Sequence, residues 1–150
     1  NQGNGVSLIL SSVIDATGAH LWENRGVGIV MRTGSAGELH DSAVNANESQ
    51  GIEVSGHSTL DIFGGMVRWN GDHGVWVSEH AFLRPIDAQV GNNIGHGLVI
   101  GRDDGAILEG ESGVEENTES FQIVCQGKEA SVDIVPPAHA GPMDCPDPEF

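Results

Sequence analysis

Asp72 and His73 stand side by side, and His96 follows His73 by 23 residues. Histidine titrates near neutral pH and a neighbouring carboxylate biases its protonation, so this trio has the makings of an acid–base site. Gln50 precedes His73 by 23 residues, and Glu53 precedes Trp76 by the same interval. If residues one interval apart touch in space, Gln50, Glu53 and Trp76 would line a ligand site beside the trio, with the Trp76 ring able to stack on a sugar. The interval recurs at His57, His80 and Asp103, flanked by Glu79, Arg102 and Asp104. Two imidazoles and a carboxylate suit a divalent metal. A further run, Glu109, Glu111, Glu115, Glu116 and Glu119, offers carboxylates of the kind that bind Ca²⁺. The plainer use of all these side chains is as solvated turn residues.

What must position them is a repeat. Asn1, Asn24, Asn47, Asn70 and Asn93 are spaced by 23, and each is followed four residues later by Gly5, Gly28, Gly51, Gly74 or Gly97. The next position is apolar (Val6, Ile29, Ile52, Val75, Leu98), and so is the one two further on (Leu8, Met31, Val54, Val77, Ile100). A weaker sixth copy puts Glu116, Ser120, Phe121 and Ile123 in these columns. Apolar residues two apart mark a strand with one buried face. A second strand follows, as at Ser58–Ile62 and Ser12–Ala16, and a third apolar position recurs at Leu21, Val44, Val67 and Val90. Three short strands per 23 residues, with no helical period, describe one rung of a coil that buries its apolar residues only by stacking.

Rungs stack at the interstrand spacing of roughly 4.8 Å, so six would make a rod of roughly 29 Å. Identical columns then become ladders. A stacked asparagine column hydrogen-bonds to itself, because each amide carries both donor and acceptor. The column glycines are expected where φ is positive or the backbone is crowded. The Asn47-Glu48-Ser49 glycosylation sequon should therefore be inaccessible inside the ladder, and Gly26-x-Gly28 lacks the strand-to-helix setting of a dinucleotide site.

These rungs resemble those of the right-handed parallel β-helix proteins of the pectate-lyase-like superfamily, which read Asn, a turn, Gly-Ile/Val-x-Val and then short strands. The resemblance covers about residues 1 to 135. It implies the fold and leaves function broad, because that superfamily includes lyases, hydrolases, epimerases, adhesins and inert spacers. The segment from Gly95 to Gly101 is similar to the Gly-His-Gly strand of polygalacturonase-type glycoside hydrolases, and Asn70 to Gly74 lies where those enzymes carry aspartates. That pattern needs three aspartates and a downstream Arg-x-Lys. Here Asp72 alone is near, displaced by one place, and Gln50 and His73 fill the acid column. Arg102 and Lys128 are the basic residues after Gly97 and form no such motif. The superfamily's lyases use Lys or Arg as base with Ca²⁺, for which Arg102 is the candidate among acids.

The chain has 150 residues and a formal net charge of −16. Such a field repels phosphate and disfavours nucleic acid or an anionic membrane. No apolar run reaches a membrane-spanning length, and no basic-then-apolar leader opens the chain. Of six prolines only Pro85 lies in the body, whereas Pro136, Pro137, Pro142, Pro146 and Pro148 crowd the end. A boundary is expected near Val135, separating a β-helix over 1–135 from a proline-rich tail or cap over 136–150 that cannot continue the ladder. Cys125 and Cys145 fit no metal spacing and are expected to form a disulfide that folds the tail back, which points to a secreted or cell-surface protein. The first rung has no polar segment before it, so its open end should be covered by upstream sequence or another subunit, or support end-to-end self-association.

The resulting expectation is an all-β protein, a right-handed parallel β-helix solenoid of about six 23-residue rungs with a C-terminal disulfide-linked tail. Its expected use is as a non-catalytic extracellular module for adhesion, glycan contact or assembly. The alternatives are a polysaccharide hydrolase or lyase, or a fragment of one, and a structural filament subunit. A polysaccharide or surface glycan is the compatible partner, and Ca²⁺ the compatible cofactor.

Overall fold

In the computed structural model, residues 1–120, 122–127 and 129–145 are described. Phe121, Lys128, Pro146 and Pro148 lie outside them. The chain winds as a parallel β-solenoid of about six turns, with no helix among the described residues. The first turn carries β1 (Val6–Leu8), β2 (Val13–Thr17) and β3 (His20–Trp22), and the second β4 (Ile29–Met31), β5 (Ala36–His40) and β6 (Ala43–Asn45). The third carries β7 (Ile52–Val54), β8 (Thr59–Phe63) and β9 (Met66–Arg68), and the fourth β10 (Val75–Val77), β11 (Phe82–Ile86) and β12 (Gln89–Gly91). Then come β13 (Leu98–Ile100), β14 (Gly105–Leu108) and β15 (Gly113–Glu115), followed by β16 (Ile123–Cys125), β17 (Ser131–Ile134) and β18 (His139–Ala140). A last strand, β19 (Met143–Asp144), begins another turn. Like strands stack into three parallel sheets: seven strands from β1 to β19, six from β2 to β17, and six from β3 to β18.

The alternation of side chains explains the core. Ile29, Ile52, Val75, Leu98 and Ile123 pair in register in the first sheet and are each no more than 1% exposed. Leu60 and Leu83 from the second sheet, and Val44, Val67 and Val90 from the third, complete the buried column. Each such aliphatic side chain contributes about 1.5–3 kcal/mol by leaving water. The column glycines are required by crowding. A Cβ on Gly51 would lie 2.7 Å from the Gly74 carbonyl oxygen and 2.7 Å from Asn70 Nδ2, where backbone offers no room.

The asparagine ladder forms, with two changes of membership. Asn24, Asn47, Asn70 and Asn93 are buried, and each donates from Nδ2 to the Oδ1 of the next member at 2.8–3.0 Å. The fifth member is Asn117, one residue later than a strict 23-residue count places it. Glu116 instead occupies a corner at φ 58, and Ile123 pairs with Leu98. Two inserted residues thus shift the sixth copy by two places relative to the strand columns. Asn1 is the other change. It is exposed and its Nδ2 donates to the Asn4 carbonyl, so the side-chain ladder begins at Asn24. At the far end Gln122 terminates the series: its Oε1 accepts from both the backbone N–H and the Nδ2 of Asn117, each at 2.8 Å.

The expected stop at Val135 is also corrected. β18 pairs with β15 and β19 with β16, so ladder bonding runs on to Asp144. Prolines are tolerated because Pro136, Pro137 and Pro142 fall between strands, where their missing donors are not needed. The donors the ladder uses come from their neighbours: His139 N–H donates to the Ser112 carbonyl and Gly141 N–H to Val114. Cys125 and Cys145 form the disulfide, with Cα atoms 4.7 Å apart. It joins the end of β16 to the residue just beyond β19 and pins the last strand.

Each turn is closed by corners in the left-handed region. After the first strand stand Ser11, Gly34, His57, His80 and Asp103, with φ of 60, 70, 62, 63 and 60°. After the third strand stand Glu23, Ala46, Trp69, Asn92 and Glu116, with φ of 52, 53, 54, 57 and 58°. An L-residue with a bulky side chain is strained there by roughly 1–2 kcal/mol.

Candidate functional site

Stacking brings the acid–base trio together on the corner that leads into β10 and β13. The His73 and His96 rings stack with centroids 5.3 Å apart, and His73 meets the Trp76 ring edge-to-face at 6.3 Å. His73 Nε2 lies 3.6 Å from Asp72 Oδ1, while Asp72 Oδ2 accepts from Gln50 Nε2 at 3.3 Å. Gln50 Oε1 in turn accepts the Ser49 hydroxyl at 2.6 Å. Ser49, Gln50, Asp72 and His73 therefore form one connected polar chain.

The protonation of His73 follows from a single bond. Its Nδ1 accepts the backbone N–H of His96 at 3.0 Å, so the neutral ring carries its proton on Nε2. Burial is the largest influence on this imidazole and lowers its pKa; His96 lowers it further, and Asp72 and Glu119 offset part of the effect. His73 is thus held neutral at pH 7 with its one lone pair occupied. It can donate from Nε2, but it has no open nitrogen with which to accept a substrate proton.

The expected ligand-site residues are also engaged. Gln50 is 9% exposed. Glu53 is in an ion pair with Arg32, whose Nη2 lies 2.7 Å from Oε1. Trp76 is half-buried, and its Nε1 has no hydrogen-bond partner among the described residues. The outward column pairs Ser7, Val30, Glu53, Trp76, Val99 and Val124, whereas a strict 23-residue count from Val99 would end it at Gln122. Val30 and Val99 in that column are 3% and 1% exposed. This face is consequently more closed than alternation alone implies.

The second set also lines up. His57 and His80 stack at 5.0 Å with planes 6° apart, and His80 Nε2 stands 3.9 Å from Asp103 Oδ2. All three are exposed and project from successive corners, so the row runs along the rod. Among the described residues no three His, Cys, Asp or Glu side chains converge in a way that could hold a metal ion. Arg102 is exposed and faces Asp103 at 3.9 Å and Glu129 at 3.4 Å. Asp104, next along, is buried. Its Oδ1 accepts the Ala81 N–H at 2.7 Å, as Ser58 Oγ accepts from Ser35, and its Oδ2 has no partner among the described residues. Burial pushes this carboxyl above the usual carboxylate range.

Two surfaces escaped the sequence reading. Asp15, Glu38, Asp61 and Arg84 are in register on the outer face of the second sheet, beside a shallow depression of about 300 Å³. Arg84 pairs with Asp61, which raises the already high pKa of the guanidinium. Trp22 on the third sheet and Trp69 at the corner that borders it are exposed by 62% and 58%. The 23-residue spacing of the three acids was a usable signal. Trp22 and Trp69 are 47 apart, two intervals plus one residue, which conceals their relation. The chain matches no family model, no curated protein and no solved structure.

Proposed function

We propose that this chain is a non-catalytic extracellular module, a rigid acidic β-solenoid that presents a binding face for adhesion or glycan contact. The observation that carries this reading is the His96 N–H to His73 Nδ1 hydrogen bond, which occupies the lone pair a general base would need. Asp72, the adjacent carboxylate, faces a glutamine and a histidine rather than the second carboxylate that inverting or retaining glycoside hydrolysis requires. The disulfide supports an oxidising compartment.

End-to-end assembly is the competing reading, since each sheet is a parallel ladder that a second copy could extend. Against it, Gln122 closes the asparagine ladder at the opposite end and the disulfide fixes the final strand there. The two readings separate by sedimentation across a hundredfold concentration range alongside glycan binding. A module stays at one mass and retains glycan, whereas a filament subunit grows with concentration.

A further inference from the structure

The first four strands of the third sheet differ in charge from the neighbouring second sheet. The chain carries 22 acidic residues, yet β3, β6, β9 and β12 read His-Leu-Trp, Ala-Val-Asn, Met-Val-Arg and Gln-Val-Gly, with none among them; Glu115 on β15, in register with Gly91, is the first acid on a strand of this sheet. The corresponding strands of the second sheet carry Asp15, Glu38 and Asp61. The nearest acids along the chain, Glu23, Asp41 and Asp87, fall at the corners of the third sheet.

Its outward columns are in register. Trp22, Asn45 and Arg68 stand on successive turns, beside a second column of His20, Ala43 and Met66. Trp69 occupies the bordering corner one residue after Arg68. An exposed indole at a positive φ is unfavourable twice over, in backbone and in hydration, so stability of the fold does not account for it. Asn45 Oδ1 accepts the Arg68 N–H at 3.3 Å, while the buried Arg68 Nε has no partner among the described residues. The face thus combines two open aromatic rings, Met66, and amide and guanidinium donors.

We infer that this face, from Trp22 across Asn45 and Arg68 to Trp69, binds a neutral extended β-1,4-linked glycan. The two indoles lie two turns apart along the rod, about 10 Å at the interstrand spacing. In an extended β-1,4 chain alternate rings present the same face, and that repeat is similar in length. Apolar sugar faces pack on indoles, and the donors between them meet ring hydroxyls. A neutral chain escapes the repulsion that a molecule of net charge −16 exerts on a polyuronate. The inference rests on the glycan-contact reading above and moves the contact from Trp76 to a different sheet.

The chain has three tryptophans and no tyrosine, so fluorescence can locate the ligand. Trp76→Phe leaves Trp22 and Trp69 as the emitters. Cellohexaose titrated into that variant should shift its emission and reduce acrylamide quenching at least twofold. In Trp22→Ala/Trp69→Ala, checked for an unchanged circular dichroism spectrum, affinity should fall at least tenfold, and Arg68→Gln should weaken it several-fold. Because the first variant leaves the proposed face intact, the test does not depend on the double variant folding. Binding that survives the double variant but is lost in Trp76→Phe would overturn this inference and leave the glycan module standing. No binding of cellohexaose together with binding of polygalacturonate would also overturn it. Retention of no glycan at all would overturn both readings.

Discussion

His73 Nδ1 accepts the backbone N–H of His96 from the next turn at 3.0 Å, and the two rings stack above one another. One hydrogen bond between neighbouring turns therefore fixes the tautomer of the most suggestive residue in the chain. It leaves His73 able to donate from Nε2, which lies 3.6 Å from Asp72 Oδ1, and not to act as a base.

The titration of His73 should reflect this arrangement. Its folded pKa is depressed, chiefly by burial, so the unfolded chain takes up the proton first as pH falls. Stability linked to His73 is present above the ordinary histidine value near 6.5 and is lost as pH falls through the lowered folded value. NMR titration of the ring should give a midpoint below that of a free histidine. His73→Gln should flatten the fall in unfolding free energy between pH 7 and pH 5. A midpoint above the free value would contradict the geometry.

Asp104 carries the opposite sign. Burial raises its folded pKa, so its contribution is present below the ordinary carboxylate range and lost as pH rises through the raised value. Asp104→Ser restores the residue type that Ser35 and Ser58 use at this corner and removes an unpartnered buried oxygen. Urea unfolding at pH 7 should show a gain of about 1 kcal/mol, shrinking toward pH 4.

The ladder should be unequal along its length. Asn70 is fully buried, accepts from Asn47 and donates to Asn93 and to the Val44 carbonyl. Asn70→Ala leaves several of these groups unpaired and should cost about 3 kcal/mol. Asn1→Ala, outside the side-chain ladder, should change stability by less than about 0.5 kcal/mol. Chemical denaturation of the two variants checks the contrast, and equal losses would refute it.

Reduction of Cys125–Cys145 releases a loop with a sequence separation of 20, worth about 3 kcal/mol in the chain-entropy model. Only the last strands depend on it directly. Hydrogen exchange should show lost protection in β18 and β19 after reduction, while β4 to β12 remain protected.

Much of this architecture is legible in the chain because one geometric rule repeats. Any residue that must hydrogen-bond or pack against its own copy recurs at the rung length, as Asn47, Gly51 and Ile52 do. The rule fails where turns change length. Asn117 and Val124 were displaced by insertions that column counting cannot place. The tail escaped because proline was read as ending a sheet, although Pro136 and Pro142 sit between strands. At the candidate site, stacking predicted which side chains would be neighbours, and it did place His73 beside His96 and His57 beside His80. It carried no information on hydrogen-bond direction, which is set by backbone groups. Nor did it foretell that Gln50 would be buried or that Glu53 would be held by Arg32.

The central claim is that the protein binds glycan without turning it over, the polar chain around His73 lacking an open base. The most direct measurement incubates the protein with neutral and uronate-containing polysaccharides, with and without Ca²⁺. New reducing ends, unsaturated-uronate absorbance and retained binding are read on the same samples. The account predicts retention of a neutral glycan with no new ends and no absorbance, unchanged in Asp72→Asn and His96→Ala. Cleavage that disappears in those two variants while their fold persists would contradict it.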